Sequence, residues 1–180
     1  MQFKLLNLAT GLLAVTSVQA LVIPTSQAST TGVTTSLNNL LAQITSSNNV
    51  ISKLKSGNSL TTGFTVLGEV TKLVASLTTA STTLGNAPTT TDTTTQEKVC
   101  ALVKKVTDSA TALLTTLNAK LSSLVGGLLA APLQIVVDLL GTAFSSLQTQ
   151  VQINSPSCAS ESDDSFEVIS TLLNTLTLTK

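Results

Sequence analysis

The stretch ATALLTTLNAKLSSLV, residues 110–125, shows the pattern on which the fold depends. From Ala110, the apolar residues recur in steps of four, three, four and three, at Leu114, Leu117, Leu121 and Leu124. This near-heptad spacing places them on one face of an α-helix and suits helices that cross at about 20°. The same face continues upstream through Val99, Leu102, Val103 and Val106, so we predict a helix over about Thr95 to Val125.

Four other stretches carry apolar residues at the same spacing. The predicted helices cover Thr34 to Lys55, Ser59 to Leu84, Pro132 to Val151 and Asp164 to Leu178. Thr and Val are frequent enough to suggest strands, but the apolar spacing is three or four and seldom two, which favours helices. The sequence therefore predicts an all-α bundle of about five amphipathic helices, forming one domain over residues 34–180 with a Thr-rich loop at 85–95.

The first 20 residues have the features of a secretory signal peptide. Lys4 precedes an apolar segment, and Val18-Gln19-Ala20 fits the small-x-small cleavage rule. The apolar run is well short of the roughly 20 residues that a spanning helix needs. We predict cleavage after Ala20, a flexible arm at 21–33, and a secreted protein of the extracellular space or cell wall.

Residues 124–144 raise a second question about membranes. This stretch is apolar apart from Gln134 and Asp138, but Gly126, Gly127 and Pro132 favour a turn between two helices. A central Asp also costs roughly 2.5 to 3.5 kcal/mol on insertion. We predict a buried bundle helix and a chain that does not span a membrane.

The two cysteines fit an oxidising compartment. Cys100 and Cys158 are the only ones in the chain, so a single intramolecular pairing is possible. A free reactive thiol and an intermolecular bond are the alternatives. We expect one disulfide that ties the start of the third helix to the segment before the fifth.

The composition excludes several classes of function. There is no His, so catalysis by a His-containing triad and a His-containing metal site are ruled out. All nine basic residues are Lys, Trp and Tyr are absent, and the net charge is zero, which argues against nucleic-acid binding. No pair of acids is placed for general acid–base work. We predict no catalytic residues, no metal, no cofactor and no enzyme activity.

The Thr-rich segment has a different implication. Thr-rich sequence next to a Pro is a good acceptor for O-linked glycans in secreted proteins, although an unmodified linker is the simpler alternative. The candidate acceptors are Thr89, Thr90, Thr91, Thr93, Thr94 and Thr95.

After these exclusions, the apolar face that the helices share is the feature that indicates a function. It predicts either a plain core or an aliphatic site for acyl chains, since each buried CH₂ gains about 0.8 kcal/mol. We expect binding of a fatty acid, another lipid or a hydrophobic solid surface. The alternatives are a structural wall protein, with a cell-wall polysaccharide as a further partner, and an effector that binds a protein. The fourth helix, with its high aliphatic density, is the predicted contact face, through Leu133, Val136, Val137, Leu140, Phe144 and Leu147.

The leader MQFKLLNLATGLLAVTSVQA, the Ser/Thr- and Leu-rich body and the segment TDSATALLTTLNAKLSSL together resemble one group of fungal proteins. This group is the hydrophobic surface-binding protein A family, which includes cell-wall galactomannoproteins. The resemblance covers most of Thr34 to Val151. It implies a secreted helical bundle that binds apolar surfaces or lipids.

Overall fold

The computed structural model describes residues 30–54, 60–89, 92–121 and 129–176. Every regular element within these ranges is an α-helix, which confirms the predicted all-α bundle. The five helices are α1 (Thr30–Ser52), α2 (Leu60–Gly85), α3 (Thr93–Leu121), α4 (Ala130–Asn154) and α5 (Pro156–Thr175). Several predicted features lie outside the described residues: the signal peptide, residues 21–29, Thr90, Thr91, Gly126, Gly127 and the predicted helix end at 177–178.

Four of the five described helices begin earlier than the sequence pattern predicts, and α4 does so by two residues, at Ala130. α1 begins at Thr30, inside the predicted arm. α3 begins at Thr93 because Asp92 caps it, and the Thr95 backbone N–H donates to Asp92 Oδ2 at 2.9 Å. The prediction of a loop through residue 95 was therefore wrong at its end, since Thr93 and Thr94 lie in the first turn of a helix.

The predicted start of the last helix was also wrong. α5 begins at Pro156, not near Asp164, and only Ser155 separates it from α4. A Pro stops the helix before it but fits the first turn of the helix after it, where its missing N–H costs nothing. Cys158 consequently lies in the first turn of α5 and not in a loop.

The helices form a closed ring. Among the described residues each helix packs against two others, in the order α1, α2, α4, α5, α3 and back to α1. α2 and α4 are parallel, because Gly63 lies against Leu129 near their starts and Gly85 lies against Gln150 near their ends. α3 and α4 are not neighbours in this ring, although they follow one another along the chain.

The ring has two ends of different composition. The first, called here the lysine end, joins the ends of α1 and α3 to the starts of α2 and α4. There the Lys120 ammonium donates to the Leu54 carbonyl. The second, called the disulfide end, joins the starts of α1, α3 and α5 to the ends of α2 and α4. There Cys100 pairs with Cys158, which confirms the predicted bond.

Candidate functional site

The apolar stripes of all five helices meet inside the ring. Their buried residues form one continuous cluster, made almost entirely of Leu, Val, Ile and Ala. Phe144 and Phe166 are its aromatic members. The largest fully buried side chains come from four of the helices: Leu37, Leu40, Ile44, Ile51, Leu73, Leu77, Leu84, Leu113, Leu114, Leu117, Leu121 and Leu140. The ring therefore encloses an aliphatic interior with little aromatic surface.

The six predicted contact residues of α4 lie together on the buried face of that helix. Leu140 and Leu147 are fully buried, and Val136, the most exposed of the six, is 5% exposed. In this arrangement they contact other helices and not an outside surface. An acyl chain would reach them from within the ring.

The polar side chains that link one helix to another lie in the seams between the helices. Each of the five seams carries at least one polar or covalent link between the two helices. These links are Ser47–Glu69, Ser81–Ser146, Asp163 with Gln148 and Gln152, Cys100–Cys158 with Gln96–Ser157, and Lys120–Leu54. Such links fix which helices are neighbours, while the apolar contacts inside remain non-directional.

The α1–α2 seam contains a buried acid that sequence reasoning did not single out. Glu69 is 7% exposed, and the Ser47 hydroxyl donates to its Oε2 at 2.9 Å. Lys72 Nζ lies 2.7 Å from its other oxygen, and Gln43 donates to Ser47 in turn. The carboxylate is therefore paired and hydrogen-bonded, as a buried charge needs to be. From the sequence, only Lys72, one turn away on α2, could have indicated that Glu69 is paired. Ser47 reaches Glu69 only through the packing of α1 against α2.

Two other acids, Asp138 and Asp92, have ordinary surface roles. Asp138 is exposed on α4 and accepts a hydrogen bond from Gln134 Nε2 at 2.7 Å. At the disulfide end, hydrogen bonds from the Thr95 hydroxyl and backbone N–H hold the pKa of Asp92 below its ordinary value. In the described part of the chain, no three Asp, Glu, His or Cys side chains come together as a metal site would require.

The candidate glycan acceptors divide into two groups. Thr89 is exposed in the α2–α3 connection, while Thr93 and Thr94 are exposed on the first turn of α3. Thr95 is half-buried, and its hydroxyl is bonded to Asp92. An enzyme that adds sugars would therefore reach Thr89, Thr93 and Thr94 more easily than Thr95.

The described residues leave an open groove between two helices. This groove of about 190 Å³ lies on the outside of the α1–α2 seam, lined by Ser36, Asn39, Leu40, Ala75, Ser76 and Thr79. Sites for small molecules usually measure roughly 300 to 1,000 Å³. The groove is therefore small for a ligand site. Inside the ring the described aliphatic side chains are buried against one another, so a long acyl chain there would require them to move apart.

One described helix, α4, is long and apolar enough to cross a membrane, judged by length and composition alone. The core helix of a soluble protein meets the same criteria, and the apolar stripe of α4 is buried against α2 and α5.

Comparison with known proteins gives a match in structure but not in sequence. No family model and no curated protein matches the chain. Ligand-binding domain 2 of the Penicillium marneffei MP1 protein, complexed with multiple arachidonic acids, matches with a TM-score of 0.68 and 14% identity. The match covers 79% of this chain and 90% of that domain. Ligand-binding domain 1 of the same protein, complexed with arachidonic acids, matches with a TM-score of 0.67, 19% identity, and coverage of 79% and 92%. At these identities the likeness shows a shared fold: this chain has the helical fold of two fungal ligand-binding domains.

Proposed function

We propose that this protein is a secreted, non-enzymatic binder of long-chain fatty acids or similar lipids, held between the helices of the ring. The observation that carries the proposal is the aliphatic interior to which all five helices contribute. Two domains of the same fold have been seen with arachidonic acid, which supports the same class of ligand here.

The interior suits the tail of such a ligand better than its head group. Burying about ten CH₂ groups gains roughly 8 kcal/mol, which corresponds to micromolar affinity before any costs. None of the buried side chains described is basic. A carboxylate would therefore lie at one end of the ring, and the lysine end offers Lys53 and Lys120 as counter-charges.

In this proposal the α4 residues predicted as the contact face line one side of the interior, and the other helices line the remaining sides. Leu133, Val136, Val137, Leu140, Phe144 and Leu147 would contact the acyl chain from one side. Ala110, fully buried at the middle of the α3 stripe, would contact it from another side.

Filling the interior tests this proposal. Ala110→Phe adds a ring at a fully buried position, whereas Ala112→Phe adds the same group to an exposed position two residues away. We expect about a tenfold or greater loss of fatty-acid affinity for Ala110→Phe, or about 1.4 kcal/mol, and little change for Ala112→Phe. The measurement is displacement of a fluorescent fatty acid from delipidated protein.

Circular dichroism should accompany this test, because overpacking a core typically costs 1 to 3 kcal/mol. If Ala110→Phe does not fold, Ala110→Leu repeats the experiment with a smaller side chain. Equal affinities of the folded Ala110 and Ala112 variants would contradict binding inside the ring.

A structural role at the cell wall is the second candidate. The exposed Thr89, Thr93 and Thr94 support it, because they are accessible for O-glycosylation. Intact-mass measurement of the secreted protein tests it: added hexoses would support this role, and a bare polypeptide mass would oppose it.

A further inference from the structure

We propose that the lysine end and the adjoining α2–α4 seam form a surface that docks on anionic lipid bilayers. This inference deepens the proposed function, since it names the source from which the lipid would be taken. It is argued from three features: exposed apolar side chains, the positions of the lysines, and the distribution of the acids.

The first feature is an apolar patch on the outside of the α2–α4 seam, defined by Leu60, Phe64, Ile135 and Leu139. These four side chains are 45% to 56% exposed. Two other large apolar side chains among the described residues are comparably exposed, Ile153 and Val168, and they lie elsewhere on α4 and α5. The patch therefore contains most of the exposed large apolar side chains described.

The parallel register of α2 and α4 places the patch on one side of the ring. On α4, Ile135 and Leu139 precede Ser146 by 11 and 7 residues, spacings that return to the same face of a helix. Ser146 faces α2, because its hydroxyl lies 2.7 Å from that of Ser81. On α2, Gly63 lies against Leu129, so Leu60 and Phe64 are level with the start of α4. The four residues thus flank one seam, beginning at the lysine end.

The second feature is the charge at this end. Lys53 is exposed just after α1, and half-buried Lys120 lies nearby, bonded to the Leu54 carbonyl. On α2 the described acid nearest to this end is Glu69, nine residues after the helix begins at Leu60. On α4 it is Asp138, eight residues after the helix begins at Ala130. Glu69 is buried and paired with Lys72, and Asp138 is bonded to Gln134 beside the patch.

The third feature is the opposite composition of the disulfide end. Asp92, Glu97, Asp163 and Asp164 lie there, against three described lysines, Lys98, Lys104 and Lys105, of which Lys104 is paired with Asp108. The molecule is therefore polarised along the ring axis, with its lysine end positive and its disulfide end negative. A negatively charged bilayer surface attracts basic residues and repels acids, which orients the lysine end towards the lipid. The exposed Leu and Phe side chains would then enter the boundary between head groups and acyl chains.

Two matched pairs of variants test the docking surface. Leu60→Ser with Phe64→Ser removes apolar surface from the patch, and Ile153→Ser with Val168→Ser removes similar surface elsewhere. Lys53→Glu reverses an exposed charge at the lysine end, and Lys98→Glu does so at the disulfide end. All six positions are exposed, so the fold should tolerate these changes.

The experiment measures partition of delipidated protein onto vesicles of phosphatidylcholine, with and without phosphatidylglycerol. We expect stronger binding to the anionic vesicles, reduced about fivefold or more by Lys53→Glu and about tenfold or more by the patch variant. The Lys98 variant and the Ile153/Val168 variant should bind as the wild type does. Equal binding to both vesicle types would overturn the proposal. So would equal losses in the variants and their controls, or a patch variant that changes only self-association.

Affinity for a free fatty acid in solution, measured on the same proteins, separates the two proposals. Fatty-acid binding without a preference for anionic vesicles would contradict docking and leave the carrier function intact. Docking at the lysine end without fatty-acid binding would contradict the carrier function alone.

Discussion

The two ends of the helical ring are built differently. At the disulfide end a covalent bond joins α3 to α5, Gln96 accepts a hydrogen bond from Ser157, and Asp92 caps α3. At the lysine end the described links include a hydrogen bond from Lys120 to a backbone carbonyl and the close approach of Gly63 to Leu129. Because covalent and capping links hold one end and mainly apolar packing holds the other, we expect the lysine end to open more easily for a ligand.

The largest expected effect comes from removing the disulfide. Replacing Cys100 and Cys158 by Ser together should lower the free energy of unfolding by up to about 4 kcal/mol, because the bond closes a long loop in the unfolded chain. Urea denaturation with and without a reducing agent measures this. The reduced wild type should behave like the double variant. If the double variant matches the oxidised wild type in stability, the disulfide does not hold this end together.

A pair of glycines on α2 tests the packing at the lysine end. An added Cβ at Gly68 meets open space, whereas one at Gly63 would collide with the Leu129 side chain. Gly68→Ala should therefore raise the free energy of unfolding by roughly 0.5 to 1 kcal/mol, the usual gain in a helix. Gly63→Ala should gain less or lose stability, since Leu129 must move. Chemical denaturation of both variants checks this, and equal gains would show that Leu129 is not held tightly against α2.

The smallest expected effect concerns pH at the disulfide end. Hydrogen bonds from Thr95 lower the pKa of Asp92 in the folded protein, so the cap stabilises α3 above the ordinary pKa of an Asp. That contribution is lost as the pH falls through the lowered pKa. An NMR titration should show the Thr95 amide signal moving at a pH below that of an unperturbed Asp, and Asp92→Asn should abolish the movement. A Thr95 signal that titrates at the ordinary pKa would contradict the cap.

Much of the fold could be predicted because helical periodicity depends on local sequence. The steps of three and four from Ala110 through Leu121 mark the stripe of α3, and two cysteines in an oxidising compartment predict the Cys100–Cys158 bond. The predicted helix starts were wrong at positions where the local residue type is compatible with two different structures. Pro156 ends α4 and also begins α5, and Asp92 extends α3 back into a Thr-rich segment that resembles a linker.

The candidate site was harder to predict, for physical reasons. An apolar residue such as Leu140 has the same pattern whether it packs in a plain core or contacts a ligand. Glu69 gave no sign of burial, because its partner Ser47 belongs to another helix. The closed ring is also a tertiary property, since α3 and α4 follow one another in sequence but are not neighbours within it.

The most direct test of the central claim is to locate a bound acyl chain by NMR. Nuclear Overhauser contacts would be measured between an isotopically labelled fatty acid and the methyl groups of the protein. Binding within the ring predicts contacts to the buried methyl groups of Ala110, Leu140 and Leu147. Contacts confined to exposed side chains such as Leu60, Leu139 and Ile153 would contradict it.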